Sequence, residues 1–433
     1  MAAARLLRQC GAVVSALDSG TSASLEQKAL ELTGEGVAVT TGHAATEVTP
    51  DHDLVVLSPG IEEKSKLVVQ ARSAGAPLIG ELELAYTLAT SPVIAITGTN
   101  GKTTTTELTA RMLCGAGIDA QVCGNIGTPM SELLLGKTPG VFVAEVSSFQ
   151  LETIRTFRPK VALLLNLSPN HLDRYDSMEE YRSAKLRIFE NQTEEDWAVI
   201  PFGEDFPGIR SRTITFSTTD ARADITLSSE GVIRYRDRDL VDTRRTLLQG
   251  PHNAANLMAA FGAGLALGAD PSAMASAVSD YTPPAHRFEK VRQDNGVTWI
   301  NDSKATNLDA MEQAIRSVKG SLILIAGGKD KGTGFAPIGP LVRERAEAAI
   351  LIGEMRTRIA GEWQPMETIQ ADSLEEAVRH AAEMAQKETT VLFSPGTSSY
   401  DMFRDYIERG DTFRRLVKSL PVESININTI TRP

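Results

Sequence analysis

The chain has 433 residues, too long for a single hydrophobic core, so two or three domains are expected. Its net charge of −11 and pI near 5.2 exclude a general nucleic-acid or membrane-surface binder, which would need a basic face, and point to small-molecule partners. No apolar run is long enough to span a bilayer. Three scattered cysteines, Cys10, Cys114 and Cys123, offer neither metal-ligand spacing nor an even disulfide set, which suits a reducing cytoplasm and a role as core filler.

Met1 to Leu17 carries two arginines, small residues and no acid, as a mitochondrial transit peptide would. The structural reading is preferred: Leu6, Leu7 and Cys10 share a helical face, Gly11 is a stop, and Ala12 to Leu17 forms a strand ending at Asp18. That is the second half of a βαβ unit. Its first strand is expected to be missing because translation was assigned a start downstream of the true one. A helix around Leu25 to Leu32, a strand Val37 to Val39 and a strand ending in Leu57-Ser-Pro-Gly60 follow. Gly60 follows a strand end, where open α/β sheets bind ligands, although a plain turn glycine would look the same. Helix 66–74 and strand Pro77 to Ile79 complete a small α/β domain.

After Pro92 comes the most informative stretch. Val93 to Ile96 is too short and too β-branched for a buried helix and reads as an inner parallel strand. It runs into Gly98-Thr99-Asn100-Gly101-Lys102-Thr103-Thr104, which turns helical. The two glycines let successive N–H groups point inward, and the helix N-terminus adds positive potential. Lys102 would then reach the β- and γ-phosphates, and the Thr103 hydroxyl would ligate Mg²⁺. Ile96 stands where the usual P-loop has its first glycine, so this is a shorter variant.

Downstream, Cys123-Gly-Asn-Ile-Gly127 is a Gly-Asn loop, and strand Val141 to Val146 carries Glu145 near its end, where such folds hold Mg²⁺. Strand Val161 to Leu167 leads to Ser168-Pro-Asn-His171, whose imidazole could join the metal or be merely structural. Met178 to Asn191 reads as a charged, solvated helix in which nothing singles out Lys185. Trp197 to Leu248 reads as short strands and turns. Gln249-Gly-Pro-His-Asn253-Ala-Ala-Asn256 then opens a small-residue helix whose two amides either contact a base or cap the helix. Pro283-Pro284 marks a hinge. Beyond it, three strands, Val297 to Ile300, Leu322 to Ala326 and Val391 to Phe393, end in the polar loops Asn301-Asp-Ser-Lys-Ala-Thr-Asn307, Gly327-Gly-Lys-Asp-Lys331-Gly332 and Ser394-Pro-Gly-Thr-Ser-Ser399. Since ligands bind at the carboxyl ends of parallel strands, these loops are expected to line a site.

Together these stretches resemble the Mur ligase family. The resemblance is carried by Ser58 to Ile61, Gly98 to Thr104, Gly124 to Gly127, Glu145 to Glu152, His171 to Tyr175, Tyr181 to Ile188, His252-Asn253, His286-Arg-Phe288 and Ser394-Pro395. Asn301 to Asn307 looks like the branch of the family that adds D-glutamate. The resemblance implies three α/β domains. A Rossmann-like domain at 1–90, short of its first strand, would bind the UDP-sugar. A P-loop ATPase-type parallel sheet at 91–283 would bind ATP, and a Rossmann-like domain at 284–433 would bind the amino acid.

The implied reaction is amide formation in the cytoplasm. ATP phosphorylates the L-alanine carboxylate of UDP-MurNAc-L-Ala, and the D-glutamate amine attacks the acyl phosphate. A monomer with no nucleic-acid or membrane partner is expected. By the same resemblance Lys102, His171 and Lys185 are catalytic, and Gly98 to Thr104 hold the ATP phosphates. Thr103 and Glu145 would hold one Mg²⁺ and His171 a second, with Lys185 matching a carbamylated metal-binding lysine. Asn253, Asn256, Arg287 and Asp302 match adenine and ribose contacts. Asp18, Gly60, Asn125 and His171 fall to the UDP-sugar side. Lys304, Thr306, Lys331, Ser399 and Tyr406 fall to D-glutamate, Tyr406 standing where phenylalanine is expected. Competing readings are another Mur-type or folylpolyglutamate-type ligase, a nucleotide switch that joins nothing, and an inactive truncated homologue.

Overall fold

The computed structural model describes residues 1–47, 52–58, 61, 65–73, 75–170, 174–248, 250–282, 284–330, 332 and 334–421. Gly60, His171 and Lys331 therefore lie outside the described residues. The fold is mixed α/β, and the chain divides into two compact units, Met1–Leu167 with Glu179–Tyr281, and Ser168–Met178 with Thr282–Pro433.

The first unit is built on a nine-stranded sheet. Strand Val93–Thr97 lies inside it, between Val141–Glu145 and Val161–Leu164, all parallel. Its alternation explains why it is buried throughout: Ile94 and Ile96 enter one apolar cluster, while Val93 and Ala95 enter another on the opposite face. Burying each of the branched side chains Val93, Ile94 and Ile96 contributes about 1.5–3 kcal/mol. Helices Lys102–Gly115 and Pro251–Ala266 pack against each other, and the absent side chain of Gly262 lets the second approach Val199. Trp197 to Asp242 supplies five strands; the last two, Val232–Tyr235 and Arg238–Asp242, pair antiparallel at the sheet edge.

The N-terminal stretch alternates strands and helices. Among the described residues it forms two separate parallel pairs, Ser15–Asp18 with Ala38–Thr41 and Val55–Leu57 with Leu78–Gly80. Helix Ala2–Gln9 is present and Leu6 is buried, but Leu7 is only half-buried and Cys10 is exposed beyond the helix end. Cys114 is exposed too, so only Cys123 is a core filler; burial pushes its thiol up to about 12. Asp18 ends its strand by accepting from the N–H of Gly20 at 2.8 Å.

The second unit carries a six-stranded sheet. Strand Val297–Asn301 is followed in space by Thr389–Phe393, Ser321–Gly327, Ala348–Ile352 and Thr368–Gln370, all parallel, with Glu289–Asp294 antiparallel at the edge. The three strands with polar carboxyl-end loops are thus direct neighbours. Alternate residues feed two apolar clusters, Leu322 and Leu324 on one face and Ile323 and Ile325 on the other.

Candidate active site

In the first unit, strand Val93–Thr97 passes through Gly98–Gly101 directly into helix Lys102–Gly115. Gly101, at φ +83°, caps the helix in a left-handed conformation, which glycine adopts without strain. A Cβ there would also lie 2.2 Å from Asn256 Oδ1. The N–H groups of the helix's first turn have no partner within it and carry the positive end of its dipole, an arrangement that binds phosphate. Lys102 Nζ curls back to donate to the carbonyls of Gly98 and Thr99, at 2.9 Å each.

The buried Glu145 carboxylate accepts from Thr103 Oγ1 at 2.8 Å and from Asn125 Nδ2 at 2.9 Å. Gly124, at φ +97°, lets the Gly-Asn loop lie against it, and the Asn125 N–H donates to the Glu145 carbonyl at 2.8 Å. Asn125 thus orients the acid. A carboxylate beside a threonine hydroxyl is a hard oxygen donor set that fits Mg²⁺. Among the described residues, no group of three or more His, Cys, Asp or Glu could hold a metal ion.

The charged helix read as solvated surface corrects that expectation. Within Met178–Leu186, Lys185 is only 2% exposed, its Nζ 3.3 Å from Thr97 Oγ1 and 4.9 Å from the centroid of the Tyr181 ring. Burial, and then the charge of Lys102, hold its pKa well below the ordinary lysine value, with Glu145 opposing them. The amine is therefore biased toward its neutral, nucleophilic form. Tyr181, whose phenol burial pushes up to about 12, shares a 3.2 Å hydrogen bond with Thr99 Oγ1.

Of the two helix-opening amides, Asn256 is buried behind the phosphate loop, its Oδ1 accepting from Thr105 Oγ1 at 3.3 Å. Asn253, one turn earlier, is half-buried. Its neighbour His252 is pushed down to about 4 by burial.

In the second unit, Asp302 begins the loop after Val297–Asn301. Its carboxylate accepts from Ser394 Oγ at 2.9 Å and from the Phe288 N–H at 3.1 Å. Burial raises its pKa to about 7, against the pull of those hydrogen bonds and of Arg287 and Arg409. Arg287 stands between two non-glycine residues in left-handed backbone, His286 at φ +66° and Phe288 at +45°, an unfavourable conformation that the surroundings must impose. The His286 N–H donates to Glu289 Oε2, and its carbonyl accepts from the Lys304 N–H. Lys304 Nζ donates to the Tyr406 hydroxyl at 3.0 Å.

Arg409, on helix Tyr406–Ser419, is a residue the sequence reading missed. Only 1% exposed, it donates to Ser303 Oγ and to the carbonyls of Ser303 and Thr397, tying two of the loops together. The third loop joins through the Lys329 N–H, which donates to the Ser398 carbonyl at 3.0 Å. Ser399 is buried in this cluster and Thr306 half-buried. A signal was available in Gly410: a glycine inside a helix costs about 1 kcal/mol relative to alanine, and here a Cβ would strike the His286 ring.

Residues 96–264 match the Mur ligase middle domain, and residues 286–396 match the Mur ligase glutamate ligase domain. A protein of Pelobacter propionicus named UDP-N-acetylmuramoylalanine--D-glutamate ligase is 43% identical over 431 residues, covering 97% of this chain and 96% of its own. One of the same name from Geobacter metallireducens is 43% identical over 430 residues, covering 97% and 95%. Among solved structures, the fold is shared with UDP-N-acetylmuramate-alanine ligase MurC of Thermotoga maritima, at TM-score 0.61 and 18% identity over 94% of this chain and 100% of that one. It is shared likewise with MurF ligase of Thermotoga maritima in complex with ADP, at TM-score 0.62 and 18% identity over 87% and 97%.

Proposed function

Because the chain belongs to the Mur ligase family, we propose that it is the ATP-dependent ligase that adds D-glutamate to UDP-N-acetylmuramoyl-L-alanine in cytoplasmic peptidoglycan precursor synthesis. The observation that carries this reading is the 40–43% identity, over 97% of the chain, to relatives bearing that ligase's name. No described helix is long and apolar enough to cross a membrane.

The chemistry of the residues supports the reading. The first-turn amides and Lys102 suit the charge that develops on a transferring phosphoryl group. Thr103 and Glu145 would hold Mg²⁺, with Asn125 orienting the carboxylate, and His171 would serve a second ion. A neutral buried Lys185 is the form that condenses with carbon dioxide, and the resulting carbamate would be a further oxygen ligand. Asn253, Arg287 and Asp302 would meet the nucleoside, with Asn256 supporting the phosphate loop from behind. Thr306, Lys331 and Ser399 would receive D-glutamate, whose two carboxylates call for cations and hydroxyl or N–H donors. The three-domain division at residues 90 and 283, with Rossmann-like terminal domains, belongs to the same proposal.

The test is phosphate release from ATP with UDP-MurNAc-L-Ala and a panel of amino acids. D-Glutamate alone should support it; equal rates with L-glutamate or diaminopimelate would overturn the assignment.

A further inference from the structure

We infer that Asn166 is a positioning residue for the phosphate loop, its carboxamide pairing with both main-chain groups of Asn100. The N–H of Asn100 donates to Asn166 Oδ1 at 2.8 Å, and Asn166 Nδ2 donates to the Asn100 carbonyl at 3.1 Å. Beside this pair the Thr99 N–H donates to the Asn166 carbonyl at 3.0 Å, and the Leu165 N–H to the Thr97 carbonyl at 3.0 Å. One side chain that satisfies both the donor and the acceptor of a residue does what a neighbouring strand does. It fixes the rotation of the peptide planes on either side of Asn100.

The approach is built into the backbone. A Cβ on Gly98 would come within 3.0 Å of Leu165 Cβ and 3.3–3.4 Å of the Leu165 and Asn166 nitrogens, so only glycine lets the loop settle against this strand end. Tyr181 holds the same loop from another element, through Thr99 Oγ1. The clamp also assigns the loop's polar groups. The N–H groups of Thr99 and Asn100 are committed to Asn166, and Lys102 covers the carbonyls of Gly98 and Thr99. The donors presented to a phosphate therefore begin at Gly101 and run through the first helical turn. Releasing the clamp frees the Asn100–Gly101 peptide to rotate, which turns a carbonyl toward the anion in place of the Gly101 N–H. Holding the loop in one arrangement beforehand reduces the ordering cost of binding.

This inference rests on the ATP-driven reading, and two measurements on the full-length protein keep the two apart. Asn166→Ala removes two hydrogen bonds and should raise KM for ATP and Kd for ADP about tenfold. KM for D-glutamate should not change. Hydrogen exchange should show the Asn100 amide protected in the wild type and unprotected in the variant. Should Asn166→Ala fail to fold, Asn166→Ser, too short to reach both groups, is judged by the same criteria. A folded variant with unchanged KM for ATP, unchanged Asn100 protection, or a parallel rise in every KM overturns the clamp. A wild type that neither binds ADP nor releases phosphate overturns the ATP reading instead, while Asn100 protection still decides the clamp.

Discussion

The phosphate loop of the first unit and the three-loop cluster of the second solve opposite problems. The first is made from one contiguous stretch whose working groups are backbone N–H donors at a helix start, and buried side chains brace it from outside. The second gathers loops that begin at Asn301, Gly327 and Ser394, and depends on a buried guanidinium from yet another element to tie two of them together. A site built of backbone tolerates side-chain change at its working positions and is sensitive behind them. A site built of side chains is sensitive at every member of its network.

The largest expected effect breaks the second site. Arg409→Met removes a buried charge and leaves the Ser303 and Thr397 carbonyls without their donor, a loss of about 3–5 kcal/mol in urea denaturation. KM for D-glutamate should rise, and Kd for ADP with it, because Asp302, next to Ser303, is proposed to meet the nucleoside. The Asn100 amide of the phosphate loop should keep its wild-type protection in hydrogen exchange; its loss would show that the two sites do not fail separately.

Next, Lys185→Ala tests whether a buried side chain behind the phosphate loop is part of the chemistry. Activity should fall by about 10²–10³-fold, or roughly 3–4 kcal/mol of transition-state stabilisation, and recover in part with added formate or acetate. Full activity in the variant would make the lysine ordinary core.

A smaller effect concerns pH. Asp302 has its carboxyl raised from 3.8 to about 7 in the folded protein. Between those values the unfolded chain releases a proton that the folded protein keeps, so this group's contribution to stability falls as pH rises from about 4 to 7 and is level above. Asp302→Asn should flatten that slope, gaining about 4 kcal/mol relative to wild type between pH 4 and 8. Parallel stability curves would contradict the assignment.

The smallest effect sharpens the comparison. Tyr406→Phe removes only the hydroxyl that receives Lys304 Nζ, so KM for D-glutamate should rise about two- to fivefold with kcat unchanged. No change would mean that the aromatic ring alone keeps Lys304 in place.

The same contrast governs what could be read from the chain. The phosphate loop was legible because its strand, two glycines, lysine and hydroxyls are consecutive, and each acts through local conformation. The adjacency of the three polar loops followed from parallel-strand logic. Lys185 was not legible: its helix, with Glu179, Glu180 and Arg182, has the composition of a surface, and its burial depends on Thr97, a contact 88 residues away in sequence. Arg409 is hidden the same way, in a helix rich in charge, because one of the two loops it bonds, at Ser303, lies 106 residues earlier. The N-terminal strands were found individually, but their separation into two pairs depends on pairing partners, which periodicity does not specify.

The chain crosses between its two compact units three times, after Leu167, after Met178 and after Tyr281, and this bears on how the protein is made. Synthesis runs from the N-terminus at about 5–20 residues per second. Ser168–Met178 therefore leaves the ribosome about 100 residues before the rest of its unit starts to appear, a wait of roughly 5–20 s. Asn166 and Tyr181, on either side of that segment, both bond to residues of the phosphate loop that have already been made. The nascent chain can thus brace the phosphate loop from both of these residues before the stretch from Thr282 onward has been made.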